Sequence, residues 1–148
     1  MTEPVARIPV ARIPVARIPC ARILLVDDDP AVGKALAVVL RRAGFDVTLA
    51  GGTAEATELL DQRFDAMVLD LRMPGMRGDS FYYLACARQP WLSCRAVFVT
   101  GDITAQAEDI IDNTGCRFLL KPFLTEELLA ELALVGPSTL DRDVPRAG

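Results

Sequence analysis

The chain has 148 residues, a net charge of −4 and an apolar content of 51%. This length suits one domain with a real core, and this composition excludes an intrinsically disordered chain. An acidic chain without a basic stripe is a poor nucleic-acid binder, and the apolar runs are too short for membrane insertion. Because Pro and Arg interrupt the N-terminus every few residues, it lacks a signal-peptide pattern, and we expect a soluble, cytoplasmic protein.

The chain contains no histidine. This excludes Ser-His-Asp and Cys-His catalysis, histidine-ligated zinc and a phosphohistidine carried by this chain. The four cysteines are scattered without a CxxC pair, so their spacing does not indicate a metal site. We expect reduced thiols, with Cys86 and Cys116 filling the core.

A five-residue unit, PVARI, recurs from Pro4 to Ile23. Proline at every fifth position prevents a helix and weakens a strand. We therefore expect residues 1–20 to form an extended, disordered leader. The alternative is a basic arm whose arginines dock on an acidic partner or on a membrane surface.

From residue 21 onward, apolar runs of strand length alternate with helical spacings. Strands are predicted at residues 23–26, 47–50, 66–69, 96–99 and 117–120. Helices are predicted at residues 31–42, 53–62, 80–88, 104–113 and 125–134. The predicted N-caps are Asp29, Thr53, Thr104 and Thr125. The aromatic residues Tyr82, Tyr83 and Trp91 are predicted to pack in the interior. This alternation predicts an α/β fold in which helices cover both faces of a parallel sheet. Residues 136–148 are predicted to form a disordered tail.

Polar side chains stand where four of the five predicted strands end. Asp27 and Asp28 follow the first strand, Asp70 the third, Thr100 the fourth and Lys121 the fifth. The carboxyl ends of parallel strands meet at one edge of a sheet, where ligands bind. Crowded carboxylates repel one another unless a cation neutralises them, and Mg²⁺ suits oxygen ligands. A hydroxyl and an ammonium group suit an anion, so the set predicts a site for a phosphoryl group.

Four segments carry these residues: ILLVDDDP, MVLDLRMPGMRG, VFVTGD and FLLKPF. In this order and at these spacings they resemble the receiver domain of bacterial two-component response regulators, over residues 21–135. The resemblance implies a three-layer, flavodoxin-like (βα)5 fold, with a doubly wound parallel sheet in the strand order 2-1-3-4-5. The last two segments are similar to those of receivers fused to hybrid histidine kinases.

The resemblance also implies a role for each strand-end residue. Asp70 matches the phosphoacceptor, which takes a phosphoryl group from the phosphohistidine of a sensor histidine kinase or a histidine phosphotransfer protein. Asp28 matches a direct Mg²⁺ ligand and Asp27 one that acts through water, and Asp70 and the backbone carbonyl of Arg72 complete the metal site. Lys121 matches the lysine that pairs with the phosphoryl oxygens.

Further residues match the parts of the family that transmit the signal. Thr100 matches the switch hydroxyl and Phe118 the switch aromatic, although a Phe on a strand is more often a core residue. Pro122 stands where the family holds a cis bond. The resemblance implies a phosphoacceptor rather than a turnover enzyme. Its fourth helix, fifth strand and fifth helix would form the face for a protein target or a homodimer.

A separate hypothesis concerns Arg72 and Asp102, each two residues beyond a site residue. We predict that they form a salt bridge across the mouth of the site and tune the phosphate lifetime by limiting water access. The alternative is two solvated surface charges that contribute little to each other.

Two other functions fit parts of the pattern. One is a Mg²⁺-dependent α/β phosphohydrolase or nuclease, but such phosphatases usually carry a second Asp two residues after the nucleophile, where this chain has Arg72. The other is a receiver used only for docking, which the intact site set opposes. Since fourteen residues follow Leu134, we expect either a stand-alone regulator acting by protein contact or a receiver detached from a larger protein.

Overall fold

A computed structural model describes residues 21–72, 76–101 and 105–135. The predicted leader and tail lie outside the described residues, and so do Asp102 and the predicted cap Thr104. No helix in the described ranges is both long enough and apolar enough to cross a membrane.

Within the described residues, five strands form one parallel sheet in the order β2-β1-β3-β4-β5. The strands are β1 (Arg22–Val26), β2 (Asp46–Ala50), β3 (Ala66–Asp70), β4 (Ala96–Thr100) and β5 (Arg117–Leu120). The central strands β3 and β4 are buried along their whole length, because helices cover both of their faces. The predicted strand order and doubly wound fold are confirmed.

Five helices connect and cover the strands in the described part of the chain. They are α1 (Pro30–Arg42), α2 (Thr53–Leu59), α3 (Gly78–Arg88), α4 (Ala105–Thr114) and α5 (Thr125–Val135). Side chains alternate across the sheet, so Ile23 and Leu25 pack with α1 and α5 while Leu24 and Val26 face α2, α3 and α4. The sheet therefore has an apolar core on each side.

Local signals set most helix ends, with some corrections. Asp29 caps α1 as predicted, because its side chain accepts hydrogen bonds from the backbone N–H groups of Ala31 and Val32. The caps predicted at Thr53 and Thr125 are wrong by one residue. The carbonyls of Gly52 and Leu124 accept the first bonds of α2 and α5. Two helix bounds differ by more than one residue, since α2 ends at Leu59 rather than at residue 62 and α3 begins at Gly78 rather than at residue 80.

The predictions for core side chains are mostly confirmed. Cys116 and Tyr82 are buried, Cys86 is half-buried, and Trp91 packs against the core. Tyr83 is 52% exposed, so its predicted packing role is wrong. Adjacent positions on a helix point in different directions, and Tyr82 takes the inward one.

Candidate functional site

The ends of β1 and β3 bring three carboxylates together. Asp27 follows β1 directly and Asp70 is the last residue of β3, the strand beside it. One carboxylate oxygen from each of Asp27, Asp28 and Asp70 lies within 4.8 Å of the other two. Asp27 and Asp70 are buried whereas Asp28 is exposed and borders a cavity of about 470 Å³. The cluster is thus buried on one side and open to solvent on the other.

The two carboxylate oxygens of Asp27 have different surroundings. Oδ1 accepts a hydrogen bond of 2.9 Å from the backbone N–H of Asp29. Oδ2 is buried and accepts no hydrogen bond from the part of the chain that the structure describes. The ammonium nitrogen of Lys121 lies 3.6 Å from it. A buried oxygen without a donor is a group that a bound cation would satisfy.

Asp70 is held from two sides. Its Oδ1 accepts a hydrogen bond of 3.0 Å from the backbone N–H of Arg72, and Lys121 Nζ lies 3.3 Å from its Oδ2. Burial is the main cause that raises the pKa of Asp70, and the charge of Asp27 adds to it. The Arg72 N–H and the Lys121 ammonium oppose this shift without cancelling it.

Lys121 joins the two buried carboxylates. Burial by itself would lower the pKa of this ammonium, but the negative charges of Asp70 and Asp27 outweigh burial and raise it. The side chain therefore stays charged. The backbone N–H of Lys121 donates to Thr100 O over 2.8 Å, so the residue is anchored beside the end of β4. The Lys121–Pro122 bond is cis, as predicted.

Gly78 fixes the backbone of Asp70, a feature that the sequence analysis missed. A Cβ placed on Gly78 would lie 2.4 Å from Asp70 O and 3.1 Å from Asp70 C. The N–H of Gly78 also donates to Leu71 O, over 3.4 Å. The first turn of α3 therefore packs against the end of β3 at a distance that only a glycine permits. The signal for this contact is a glycine shortly before the predicted helix 80–88, in the segment MRGD.

The other residues predicted for the site, Thr100, Phe118 and Arg72, differ in burial. Thr100 is buried at the end of β4, one residue beyond Val99, the partner of Asp70. Phe118 is 38% exposed on the edge strand β5, so its alternative interpretation as a core residue is wrong. Arg72 is exposed and reaches Asp70 through its backbone. Its pairing with Asp102 stays a prediction, because Asp102 lies outside the described residues.

Comparison with known proteins places this geometry in a family. Residues 23–133 match the family model described as "Response regulator receiver domain". The DNA-binding response regulator MtrA of Mycobacterium tuberculosis is 35% identical over 113 residues, which are 74% of this chain and 48% of MtrA. The chain thus spans about half the length of that relative.

Two solved structures are similar to the chain. The chemotaxis protein CheY4 of Vibrio cholerae has a TM-score of 0.71 and 27% identity, covering 78% of this chain and 98% of CheY4. A response regulator from Burkholderia pseudomallei has a TM-score of 0.68 and 28% identity, covering 75% of this chain and 65% of that one. The Burkholderia structure is described as containing a phosphorylated aspartic acid, a calcium ion and citrate.

Proposed function

The chain belongs to the response regulator receiver domain family, and we propose that Asp70 accepts a phosphoryl group from the phosphohistidine of a sensor histidine kinase or a histidine phosphotransfer protein. The observation that carries this proposal is the gathering of Asp27, Asp28, Asp70 and Lys121 at one edge of the sheet. The phosphorylated aspartic acid of the Burkholderia relative supports it.

The acidic cluster fits a divalent cation of the Mg²⁺ type. Three oxygens lie within 4.8 Å of one another, and Asp27 Oδ2 is buried without a donor in the described residues. We propose that Asp28 binds the ion directly and Asp27 through water, together with Asp70 and the backbone carbonyl of Arg72. When bound, Mg²⁺ would neutralise the carboxylates and the phosphoryl oxygens that approach them.

The transfer itself is a displacement at phosphorus. A carboxylate oxygen of Asp70 forms the new bond to phosphorus, and the bond from phosphorus to the histidine nitrogen breaks. That nitrogen keeps the electron pair and takes a proton. The chain contributes mainly position and charge, since the Arg72 N–H holds Asp70 Oδ1 in place and Lys121 remains a cation beside Oδ2.

The phosphoryl group would then shift its surroundings. Its charge of about −2 favours the Lys121 ammonium and the Thr100 hydroxyl as partners. The backbone N–H of Lys121 donates a hydrogen bond to Thr100 O, so a movement of one residue displaces the other. We propose that Phe118 follows this movement and changes the affinity of the face formed by α4, β5 and α5 for a protein target or a second copy. Slow hydrolysis would return the domain to its starting state, so it acts as a phosphoacceptor rather than a turnover enzyme.

Three finer statements stay predictions. The Arg72–Asp102 pair would slow hydrolysis by limiting water access, and the variants Arg72→Ala and Asp102→Ala test this through the dephosphorylation rate. The unit would extend over residues 21–135 of the chain. It would belong either to a stand-alone regulator or to a larger protein of the hybrid-kinase type. MtrA is a DNA-binding response regulator, and this chain covers 48% of it.

The test is the intact mass of the protein after incubation with a small-molecule phosphodonor, with and without Mg²⁺. One added phosphoryl group is expected in the wild type with Mg²⁺, and none in Asp70→Asn. Asp79→Asn is the matched control, since Asp79 lies in the first turn of α3 but pairs with Arg77 outside the cluster. An adduct that persists in Asp70→Asn would refute the assignment.

Two further results would point to the other functions. No adduct and no binding of beryllofluoride would indicate a docking module. Release of inorganic phosphate in large excess over protein would indicate a hydrolase.

A further inference from the structure

A second cluster of reactive side chains lies at the opposite end of the sheet from Asp70. Cys94 and Cys116 stand just before β4 and β5, whereas Asp70 stands where β3 ends. The hydroxyl of Tyr82, on α3, accepts a hydrogen bond of 2.9 Å from the backbone N–H of Cys94. The proposed phosphoryl chemistry uses none of these groups.

The thiols of Cys94 and Cys116 approach the same atom. The sulfur of Cys94 lies 3.5 Å from Thr114 O, and the sulfur of Cys116 lies 3.8 Å from it. A Cβ placed on Gly115 would lie 3.8 Å from the sulfur of Cys94, so this thiol lies beside the residue before Cys116. Two sulfurs at these distances from one oxygen are at most about 7.3 Å apart.

The strand register sets how far apart the two cysteine backbones lie. Val97 pairs with Arg117, so the chain before β4 runs beside the chain before β5. Neighbouring strands lie about 4.8 Å apart, and a disulfide needs Cα atoms roughly 4 to 7 Å apart. By this register Cys94 stands opposite Thr114, two residues before Cys116, so the Cα atoms of the two cysteines are roughly 8 Å apart. The segment before β4 must therefore move toward β5 by about 1 Å or more for a disulfide to close.

The two cysteines differ in a way that orders their chemistry. Cys94 is exposed and has a φ of 62°, a left-handed conformation that is uncommon for a residue with a side chain. Cys116 is 5% exposed, and burial raises the pKa of its thiol, so it is a poor first target for an oxidant. Cys94 is therefore the thiol that an oxidant in solution reaches first, and Cys116 is the buried second thiol.

We propose that Cys94 and Cys116 form a redox-active dithiol that a hydroperoxide converts to a disulfide. The Cys94 sulfur attacks the outer oxygen of the hydroperoxide, whose O–O bond breaks to release an alcohol, or water when the oxidant is hydrogen peroxide. The Cys116 sulfur then attacks the resulting sulfenic acid and a water molecule leaves. The two sulfurs lose two electrons to the O–O bond, and the two thiol protons end in the released alcohol and water.

The bond would tie the entry of β4 to the entry of β5, beside the end of α4. Phe118 lies two residues after Cys116, so oxidation would restrain the strand that carries the exposed aromatic residue. The acidic cluster is at the other end of the sheet and would keep its geometry. Oxidation and phosphoryl uptake are therefore separate inputs, and the dithiol does not depend on the proposed function.

The test treats the reduced full-length chain with hydrogen peroxide, blocks the remaining thiols in denaturant, and maps the cross-linked peptides by mass spectrometry. The wild type, Cys20→Ser and Cys86→Ser should each lose two hydrogens and give the Cys94–Cys116 peptide. Cys94→Ser, a change at an exposed position, should abolish the cross-link and keep the native circular dichroism spectrum. Cys116→Ala should leave a sulfenic acid on Cys94 that a dimedone probe traps and that the wild type does not accumulate.

Three results would overturn the proposal. One is a cross-link that maps to Cys20 or Cys86 instead. Another is oxidation of wild-type Cys94 to sulfinic acid or to an intermolecular disulfide without the internal bond. The third is a cross-link that forms only after the fold is lost in denaturant.

Discussion

Replacing Gly78 with alanine tests the contact that fixes the phosphoacceptor candidate. Gly78 is the first residue of α3, and helix propensity alone would make Gly78→Ala stabilising by about 0.5 to 1 kcal/mol. The contact with β3 predicts the opposite sign. The new Cβ would lie 2.4 Å from Asp70 O and 3.2 Å from Leu71 Cα. Both are backbone atoms, which cannot rotate away.

The size of the effect follows from these distances. An ordinary contact requires the end of β3 and the start of α3 to separate by about 1 Å, and overpacking of this kind costs about 1 to 3 kcal/mol. A displacement of about 1 Å at a reacting group can lower a rate by a factor of about 100. We expect Gly78→Ala to lower the free energy of unfolding and also to slow phosphoryl uptake by Asp70.

Urea unfolding followed by circular dichroism measures the free energy of unfolding. The rate of adduct formation with a small phosphodonor measures phosphoryl uptake by Asp70. Gly52→Ala is the matched control, because a Cβ there meets nothing within 4 Å and Gly52 has an extended backbone with φ 173°. Its free energy of unfolding should fall only by about 0.5 kcal/mol, the difference between glycine and alanine at a helix N-cap. A Gly78→Ala variant that is as stable as the wild type, or more stable, would refute the reasoning.

Three further predictions concern buried polar groups. The raised pKa of Asp70 means that its ionisation favours the unfolded state, so without Mg²⁺ Asp70→Asn should raise the free energy of unfolding at pH 7. Urea titrations should show this gain fading as the pH falls toward about 4, below which the wild-type carboxyl is protonated in both the folded and the unfolded state. A gain that persists below that pH would contradict the assigned cause. Lys121→Met should lower the free energy of unfolding by about 2 kcal/mol without Mg²⁺, because Asp27 and Asp70 lose their shared cation. Added Mg²⁺ should restore part of this free energy. A loss that Mg²⁺ leaves unchanged would argue against a metal site. Gln89→Ala should lower the free energy of unfolding by about 3 kcal/mol, because this buried amide makes hydrogen bonds to three backbone groups, Phe64 N–H, Leu60 O and Gln62 O. A decrease below about 1 kcal/mol would mean that water replaces the amide.

Much of the fold followed from patterns that depend on near neighbours in the chain. The alternation of apolar runs with helical spacings predicted a parallel sheet covered on both faces, and strand ends predicted where Asp27, Asp28 and Asp70 would meet. Asp29 was assigned as a cap rather than a ligand because its spacing to the next helix is a local signal, and the structure confirms that cap. The strand order itself came from the resemblance, since alternation alone does not fix which strands are neighbours.

Tertiary structure decided the features that depend on distances between remote segments. Lys121 reaches both Asp27 and Asp70 because β5 ends beside β4 and the side chain crosses the edge of the sheet. Phe118 is exposed because β5 is an edge strand, which a strand pattern does not reveal.

The contact of Gly78 with Asp70 and the approach of Cys94 to Cys116 have the same origin. Each joins residues whose separation is set by how elements pack and by the register of parallel strands. The sequence by itself determined which chemical groups stand at each strand end, because local periodicity places them there. Packing decided which of these groups touch, since contact depends on the spacing between elements rather than on the spacing along the chain.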